Sequence, residues 1–498
     1  MMSPVPHTSD VVVIGGGGSG LATAVAAAEG GADVVLLERR SEIGGSTALS
    51  IGSLTAAGTS FQRRRGIVDD PDHLVEDMWK FDEELLSGDA PDLRRLYAHE
   101  SARTLAWLIE HGVAFAGPFP EHPHRVPRMH NVIPNSRSYV ARLDEAARRA
   151  GVSVITGAEA ERLLEEDGAV VGVSALVDGQ PRDFLANRGV VIASGDFSGN
   201  RVMREELLSR SAAGAVPINP DALGFGHRMA ADVGAELKHM DKLFGPQLRF
   251  PASPKPGLLD RLPLWRWFCR LEALVANNVP PSFLRPVVKS LLVSHMSPTD
   301  EMFRRGAILV NASGERFGQE AHPADELALQ PHGRGFLILD RRLAAEFDAS
   351  PHHISTAPGI AFAYFSDYAR GRPDLISRGA DAAELAARIG VDPGAFQSAV
   401  DSSGLTGELI AMGPVHSMLT VTEGSISVDD RLRVLRDDGS AIAGLYAVGG
   451  VGQGGMLLKG HGHHIGWAMT SGRLAGAALA ASETTNDQPS NQAEPRNQ

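Results

Sequence analysis

The sequence has a single cysteine, Cys269, among its 498 residues. One cysteine can form no disulfide within the chain, so nothing indicates an oxidising compartment. Long apolar runs are missing as well, and no stretch approaches the roughly 20 residues that a helix needs to span a bilayer. The N-terminal segment MMSPVPHTSD contains neither the basic nor the apolar part of a secretory signal. These absences predict a soluble, cytoplasmic protein.

Positive charge is also scarce, because 47 Lys and Arg residues stand against 60 Asp and Glu residues and give a formal net charge of -13. A protein that binds nucleic acid needs a basic face to displace counterions, so nucleic acid is not expected as a partner. The hydrophobic content of 43% and the chain length allow two or three domains with their own cores. The polar, proline-containing residues 482–498 are predicted to be disordered.

The strongest motif lies near the N-terminus, where DVVVIGGGGSGLATAVAAAEGGADVVLLERR predicts a buried strand, a glycine turn, a helix of small residues and a second strand. Gly15, Gly17 and Gly20 occupy the G-x-G-x-x-G positions, which allow a tight turn, the approach of a pyrophosphate and close helix packing. The second strand ends at Glu38, whose carboxylate can accept hydrogen bonds from a ribose. This order of elements predicts a βαβ dinucleotide-binding unit.

Three further glycine-rich segments favour a flavin dinucleotide over a nicotinamide one. EIGGSTALSIGSLTAAG (42–58) follows the second strand directly and predicts a flexible polar loop that can close over a second phosphate or a flavin edge. GVVIASGDFSGN (189–200) and GLYAVGGVGQGG (444–455) each predict a strand that runs into a glycine turn. A nicotinamide-dependent dehydrogenase does not need the first of these segments.

Together these segments resemble the FAD-dependent fumarate reductase/succinate dehydrogenase flavoprotein superfamily, which also contains the 3-ketosteroid Δ1-dehydrogenases. The resemblance covers residues 9–225 and 300–480, including ILVNASGERFGQE (308–320), which is similar to a capping-domain segment. It implies an α/β fold with a discontinuous, Rossmann-like FAD-binding domain of the glutathione-reductase type. It also implies an inserted α+β capping domain that closes over the isoalloxazine ring. The expected division is an FAD-binding domain over 1–225 and 411–481, and a capping domain over 226–410.

The residues expected to bind FAD are those of the fingerprint, of the glycine-rich segments and of the start of the last helix. They are Gly15, Gly17, Gly20, Glu38, Gly45, Ser46, Thr47, Gly52, Ser53, Gly195, Gly449, Gly450, His464 and Ile465. A helix that begins near His463 would direct its positive end at the N1/O2 edge of the flavin. No histidine follows the G-G-S-T segment at the usual attachment position, so the FAD is expected to be noncovalent.

Departures from the fumarate reductase pattern restrict the substrates that are expected. Ala324 stands at about the place of the arginine proton donor, and LTVTEGS (419–425) is interpreted as the replacement of a substrate-binding His-His-Thr-Met-Gly-Gly segment. The C-terminal motif KGHGHHIGWAM (459–469) has no arginine. A dicarboxylate would lose most of its cationic partners, so succinate and fumarate are not expected as substrates.

The C-terminal motif resembles the ketosteroid dehydrogenase branch more closely. The matching positions are Gly460, Gly462, Ile465, Gly466, Ala468 and Met469. In that branch the backbone N–H of the glycine that matches Gly462, together with a tyrosine hydroxyl, holds the ketone oxygen of the substrate. Leu458 occupies the tyrosine position here, so the glycine is kept and the hydroxyl is lost.

Removing two hydrogens beside a carbonyl requires an oxyanion site, a base and a hydride acceptor. The candidate catalytic residues are His461 and Gly462, together with Tyr139 and Arg137, which could reach a ketone or a carboxylate from a helix that Ser138 is predicted to cap. The alternatives are that the histidines bind FAD or cap the helix, and that Tyr139 and Arg137 serve ordinary packing. The H-x-H-H pattern lacks a nearby cysteine or carboxylate, so no metal site is predicted.

One segment stands apart from the cofactor motifs. Residues 258–296 combine Trp265, Trp267 and Phe268 with five cationic side chains, and their prolines exclude a spanning helix. A substrate lid or a homo-oligomer contact is the default interpretation, and an interfacial membrane patch is the alternative.

The sequence therefore predicts an FAD-dependent oxidoreductase that acts on CH–CH bonds, most simply by desaturating a cyclic or apolar ketone. The same chemistry run backward, as reduction of an activated alkene, is the second interpretation. An electron-transfer flavoprotein subunit of a larger complex is the third. No second G-x-G-x-x-G motif follows in the middle of the chain, so electrons are expected to pass to or from an external partner.

Overall fold

The computed structural model describes residues 6–482, except 83–88, 254–261, 297–298, 319, 350–354 and 358–360. It is a mixed α/β structure, as predicted. The predicted disordered tail lies outside the described residues from 483 onward. None of the helices that the structure describes combines the length and the apolar character needed to cross a membrane.

The strands and helices are numbered in chain order. The strands are β1 His7–Ile14, β2 Val34–Glu38, β3 Ser53–Thr55, β4 Ala114–Phe119, β5 Met129–Ile133, β6 Ser153–Thr156, β7 Ala158–Glu166, β8 Ala169–Val177, β9 Gln180–Ile192, β10 Val216–Pro217, β11 Leu237–Lys238, β12 Leu243–Phe244, β13 Gln247–Arg249, β14 Ile308–Asn311, β15 Arg334–Asp340, β16 Ser355–Ala357, β17 Ala361–Ala363, β18 Ile376–Gly379, β19 Leu409–Leu419, β20 Val421–Thr422, β21 Ser425–Ile426, β22 Arg433–Leu435 and β23 Ala441–Ala447. The helices are α1 Gly18–Glu29, α2 Gly45–Leu49, α3 Ser60–Arg64, α4 Pro71–Met78, α5 Pro91–Glu110, α6 Arg137–Arg149, α7 Arg201–Leu207, α8 Arg210–Gly214, α9 Phe225–Asp232, α10 Arg266–Asn278, α11 Pro281–His295, α12 Glu301–Arg304, α13 Pro323–Ala328, α14 Arg341–Glu346, α15 Phe365–Gly371, α16 Ala382–Ile389, α17 Pro393–Asp401 and α18 His463–Ala481.

The larger sheet contains five parallel strands in the order β23-β9-β1-β2-β6. β1 and β2 read as nearly continuous runs of Val, Ile and Leu because helices or loops cover both faces of a parallel sheet. β2 ends at Glu38, as the sequence predicted. The carboxyl ends of β1, β9 and β23 therefore meet at one edge, where the glycine-rich turns follow.

Helix α18 packs against helix α1 through glycines. A β-carbon at Gly472 would lie 2.3 Å from the carbonyl oxygen of Ser19, and one at Gly476 would lie 2.3 Å from the carbonyl oxygen of Thr23. The predicted start of this helix near His463 is confirmed. The small residues on both helices allow this close approach.

A second hydrophobic core is built on the sheet β10-β19-β15-β14, to which β13 and β18 add through β19. The predicted boundary at residue 410 falls inside β19, which runs from Leu409 to Leu419 and pairs along its length with β15, β18 and β13. The division into an FAD-binding and a capping domain stays a prediction at this stage, with β19 belonging to the second core.

A small sheet, β3-β5-β4, carries the loop 120–128 between β4 and β5. Arg128 anchors the end of this loop, because its fully buried guanidinium lies 2.6 Å from Asp69 and 2.6 Å from Asp77. Burial alone would raise the pKa of Asp77, but hydrogen bonds from Arg125, Lys80 and Arg128 hold it below its ordinary value. A buried ion pair with several hydrogen bonds fixes the loop in one position.

Candidate functional site

The N-terminus of α1 forms a cradle of the kind that holds a diphosphate. Gly15 has a φ of 112°, and a β-carbon at Gly20 would lie only 1.9 Å from the carbonyl oxygen of Gly15. At Gly17, which caps the helix, a β-carbon would meet nothing within 4 Å. Gly20 is therefore needed for packing, whereas Gly17 leaves open space beside the first turn of α1.

Glu38 lies at the end of the next strand in the sheet. Its Oε2 accepts a hydrogen bond of 2.8 Å from the N–H of Gly16, and its Oε1 accepts one of 2.8 Å from the N–H of Arg40. Each carboxylate oxygen keeps a further lone pair, and the side chain is only half-buried. These free acceptor positions fit a ribose whose hydroxyls lie beside the glycine turn.

The G-G-S-T segment is not the flexible loop that was predicted. It forms the short helix α2, because Gly44 and Gly45 turn the chain with φ values of 140° and 50°. The hydroxyl of Thr47 accepts a hydrogen bond from the N–H of Gly18, and Ser46 accepts one of 2.8 Å from Asn219. Gly45 and Thr47 thus lie beside Gly17 and Gly18 at the start of α1.

The other predicted cofactor glycines meet at the same edge. Gly195 follows β9 with a φ of 76° and open space at its β-carbon position, and a β-carbon at Gly450 would lie 3.7 Å from the N–H nitrogen of Asp196. Gly449 follows β23 and donates a hydrogen bond to Ser471 of α18. Gly195 and Gly450 follow neighbouring strands and leave open space there, which fits a dinucleotide such as FAD lying across this edge of the sheet.

Gly52, Ser53 and Tyr139 each make a hydrogen bond at or next to β3. The hydroxyl of Tyr139 is fully buried and donates to the carbonyl of Gly52 at 2.9 Å, and Ser53 donates to Asn131 at 2.7 Å. Burial raises the pKa of Tyr139 well above its ordinary value. Helix α6 begins at Arg137 rather than after Ser138.

Tyr139 and Arg137 are not brought to the C-terminal motif. Among the described residues, no hydrogen bond or ring contact joins either side chain to His461 or Gly462, and Arg137 is exposed on the first turn of α6. A role in substrate binding would require Tyr139 to leave a buried hydrogen bond. In this structure Tyr139 therefore serves the core, and Arg137 lies on the surface.

The three histidines of the C-terminal motif point to three different partners. His463 is buried, accepts a hydrogen bond from the N–H of Gly460 and lies 3.2 Å from His124. Burial lowers the pKa of His463 well below its ordinary value and that of His124 to about 4. Among the described residues there is no group of three or more side chains that could hold a metal.

His461 is held by a carboxylate that the sequence did not indicate. Oε1 of Glu121 lies 2.5 Å from Nδ1 of His461 and also accepts a 2.9 Å hydrogen bond from its backbone N–H. The His461 side chain is 55% exposed, whereas that of Glu121 is 10% exposed and its Oε2 has no partner among the described residues. Glu121 precedes His461 by 340 residues, so no local motif could have revealed the pair.

Gly462 connects this pair to the start of α18. It caps the helix with a φ of 79°, and a β-carbon there would lie 2.8 Å from the backbone nitrogen of Thr55. The hydroxyl of Thr55 donates to the carbonyl of His461 at 2.7 Å. Since the first N–H groups of a helix lack acceptors within the helix, His464 and Ile465 present such groups in the first turn.

The side chain of His464 belongs to a buried network. It lies 2.8 Å from Glu423, whose other oxygen accepts hydrogen bonds from Gln453 and from the N–H of Leu458. Burial would raise the pKa of Glu423, but His464 and these donors lower it below its ordinary value. Asp196 lies near this network and accepts a 2.8 Å hydrogen bond from the N–H of Thr422.

Replacing Asp196 by asparagine is expected to change how the free energy of unfolding depends on pH. Burial raises the pKa of Asp196 to about 6, although hydrogen bonds from Thr422 and Ser198 oppose the shift. The folded chain therefore holds the proton more tightly than the unfolded chain, and wild-type stability falls as pH rises from about 4 to 6. Because the variant lacks this titration, its stability relative to the wild type should increase by about 2 kcal/mol between pH 4 and pH 7.

Urea unfolding of the FAD-loaded proteins at both pH values measures this difference. Ser198→Ala is the control, since it removes one hydrogen bond to Asp196 and keeps the titrating carboxyl. An equal stability difference between the asparagine variant and the wild type at pH 4 and pH 7 would show that Asp196 titrates normally.

A second group of polar residues was not predicted from the sequence. Nε of Arg249, Nδ1 of His416 and Oγ1 of Thr420 are buried and have no hydrogen-bond partner among the described residues. The register pairs Arg249 with His416 across β13 and β19, so both side chains lie on one face. Burial lowers the pKa of each of these two. Such a group can bind a carboxylate or a hydroxyl.

Comparison with known proteins agrees with this geometry. Residues 10–265 and 272–458 match the family described as FAD binding domain. Urocanate reductase of Eggerthella lenta is 26% identical over 88% of this chain and 69% of its own length. The 4-oxocyclohexanecarboxylate 2-dehydrogenase of Sinomonas cyclohexanicum is 26% identical over 95% of this chain and 93% of its own length. The open form of a flavocytochrome c3 fumarate reductase superposes with a TM-score of 0.72 at 21% identity, covering 96% of this chain and 79% of that one.

Proposed function

The chain belongs to the FAD binding domain family, and from this premise we propose that it desaturates a cyclic or otherwise apolar ketone between its α and β carbons. Its cofactor is FAD and it is an oxidoreductase, since the family includes reductases and dehydrogenases that act on carbon–carbon bonds. We assign the parallel sheet to a Rossmann-like FAD-binding domain and the second core to a capping domain. Noncovalent binding of FAD is part of the same proposal.

One observation carries the proposal: a half-exposed histidine, held by a buried carboxylate, stands beside a backbone glycine at the start of a helix. Nδ1 of His461 is occupied by Glu121, which leaves Nε2 as the ring nitrogen free to take up a proton. A carboxylate on one ring nitrogen fixes the tautomer and stabilises the protonated ring. The pair thus has the construction of a general base.

In the dehydrogenation the two hydrogens leave the substrate separately, one as a proton and one as a hydride. His461 removes the α proton, while the N–H of Gly462 stabilises the negative charge that develops on the ketone oxygen. Bound FAD supplies the acceptor for the hydride that leaves the β carbon. A carbon–carbon double bond forms as the two C–H bonds break, and Glu121 keeps the protonated ring of His461 in place.

Charged and polar side chains elsewhere in the described structure support the proposed substrate class. Lys459 does not offer a free cation, because its ammonium donates to the carbonyl of Leu243 at 2.9 Å and lies 3.7 Å from Asp82. The unpartnered atoms of Arg249, His416 and Thr420 could form hydrogen bonds with one polar substituent on an otherwise apolar ring. A ring ketone with a single carboxylate or hydroxyl fits this description better than a dicarboxylate does.

Reduction of an activated alkene is the second candidate, because urocanate reductase is among the relatives. The same residues would then work in reverse, with the protonated ring of His461 returning a proton to the α carbon. Physiological direction depends on the electron partner, which we expect to be a separate molecule.

Anaerobic titration of the purified holoenzyme tests the proposal. Cyclic ketones, steroid ketones and carboxylated cyclohexanones are added one at a time, and absorbance of the oxidised flavin is followed. Loss of the flavin band with one compound, together with its unsaturated product, is the expected result. If no ketone reduces the enzyme but an enone or enoate reoxidises it after dithionite reduction, the enzyme is a reductase. Reaction only after a partner protein is added would instead support a subunit role.

A further inference from the structure

The outer face of α10 is apolar and exposed to solvent. Trp267, Leu271, Leu274 and Val275 recur at helical spacing along it, and Trp265 stacks on Trp267 with ring centroids 5.9 Å apart. These five side chains and Phe283 in the first turn of α11 are between 49% and 73% exposed. We call these six residues the α10 surface. Its area is on the order of several hundred Å², which marks an interaction site rather than scattered exposure.

The inner face of the same helix is firmly attached to the FAD-binding part of the chain. Cys269 and Ala273 pack on β4, and the side chain of Asn277 bonds the N–H of Gly117 and the carbonyl of Phe115. A helix fixed on one side by core contacts and backbone hydrogen bonds presents its other side in a defined orientation. Within the part of the chain that the structure describes, no contact covers this apolar face.

The charge of this region is opposite to that of the whole chain. Residues 262–296 carry four Arg or Lys side chains and one acidic residue, Glu272, so their net charge is +3 against -13 for the chain. Arg270 and Arg285 are exposed on α10 and α11, and Lys289 is paired with Asp367 at 2.8 Å. Tryptophan beside arginine on an exposed apolar helix face is the composition of helices that lie in the headgroup layer of a membrane.

We propose that the α10 surface docks the protein on an anionic lipid bilayer, with its Trp and Leu side chains in the headgroup layer and Arg270 and Arg285 against lipid phosphates. A second copy of the chain is the less suitable occupant, because two-fold contact through this face would bring like charges together. An overall acidic protein approaches an anionic surface only through a cationic patch, and this face provides one.

The position of the α10 surface relative to His461 suggests how membrane docking would serve the enzyme. β4, on which α10 packs, leads directly to Glu121, the partner of His461. An apolar ketone partitions into a bilayer. Docking through α10 would therefore bring the membrane that contains the substrate close to the proposed active site. This use rests on the proposed function, whereas lipid binding itself does not.

Co-sedimentation of the full-length, FAD-loaded protein with vesicles tests the docking. Vesicles of phosphatidylcholine with phosphatidylglycerol are compared with vesicles of phosphatidylcholine alone, at low and at high salt. The wild type should pellet with the anionic vesicles at low salt and be released by salt. Arg270→Glu with Arg285→Glu should weaken binding by more than roughly thirtyfold, since each arginine near an anionic surface contributes about fivefold and reversal adds repulsion.

Trp267→Ser with Leu274→Ser should also abolish pelleting, and its flavin spectrum shows whether the variant is folded. Val202→Ser is the matched control, because Val202 is exposed on α7, away from the surface. Failure of the wild type to bind anionic vesicles at low salt, or equal binding by the double variants, would overturn the proposal. A concentration-dependent dimer that the Trp267 variant disrupts, without lipid binding, would reassign the surface to self-association. Flavin reduction by the ketone is measured separately without vesicles. A failure of the docking proposal can therefore be told apart from a failure of the proposed desaturation.

Discussion

Gly20→Ala is expected to prevent accumulation of folded, FAD-loaded protein, whereas Gly17→Ala should fold normally and bind FAD weakly. The added methyl at Gly20 would lie 1.9 Å from the carbonyl oxygen of Gly15, where the turn after β1 contacts α1. Backbone must move to relieve that overlap, so the cost should exceed the roughly 1–3 kcal/mol typical of side-chain overpacking and remove much of a typical total of about 5–15 kcal/mol.

Gly17→Ala is the matched control because it adds the same methyl three residues away. The position has ordinary backbone angles, with φ of -78°, and a β-carbon there would meet nothing within 4 Å. Stability of the FAD-free protein should therefore be unchanged. The methyl would occupy the open space above the helix N–H groups, so the dissociation constant for FAD should rise by roughly tenfold or more.

Thermal unfolding of the FAD-free proteins and equilibrium FAD titration separate these effects. If Gly17→Ala binds FAD as the wild type does, the diphosphate does not lie above Gly17 and the proposed cradle is wrong. If Gly20→Ala is as stable as the wild type, the close contact with Gly15 is not essential.

His461→Ala is expected to leave FAD bound and to slow flavin reduction by substrate by roughly 10²–10⁴-fold, the range for loss of a general base. The side chain is half-exposed, and its hydrogen-bond partner, Glu121, belongs to another part of the chain. Its loss should therefore have little effect on the fold. Added imidazole should restore part of the rate, because a small base can enter the space that the variant leaves.

Glu121→Gln should slow the same step by a smaller factor, with kcat lowered and KM nearly unchanged. The amide oxygen can still accept from Nδ1 of His461 but cannot stabilise the protonated ring. Imidazole should not rescue this variant. His99→Ala is a matched control, since His99 is also a partly exposed histidine beside a carboxylate, Asp72. Unchanged turnover in His461→Ala would make the pair structural.

Local sequence patterns predicted the elements that depend on neighbouring residues. β2 ends at Glu38 and α18 begins at His463, because buried runs and helix-capping glycines act over a few positions. The G-G-S-T segment was expected to be a flexible loop and is a helix, since its order comes from contacts between Thr47 and Gly18. These contacts join separate segments that no single window contains.

The candidate site was predictable only in part for the same reason. His461 and Gly462 were indicated by the motif, but Glu121, Arg249 and His416 come from distant segments. Tyr139 was selected by its chemistry and its position at the start of a helix. In the structure its hydroxyl donates a hydrogen bond to the carbonyl of Gly52 in the core. A side chain's type reveals what it can do, and only packing decides whether it faces a substrate.

The most direct test of the proposed proton transfer is deuterium uptake at the α carbon of the ketone that reduces the enzyme. The holoenzyme is first reduced with dithionite in D₂O, so that hydride transfer from the ketone is blocked, and deuterium incorporation is followed by NMR. The wild type should exchange the α hydrogen, and His461→Ala should not do so above the background rate. No exchange by the wild type, or equal exchange by the variant, would contradict the assignment of His461 as the base.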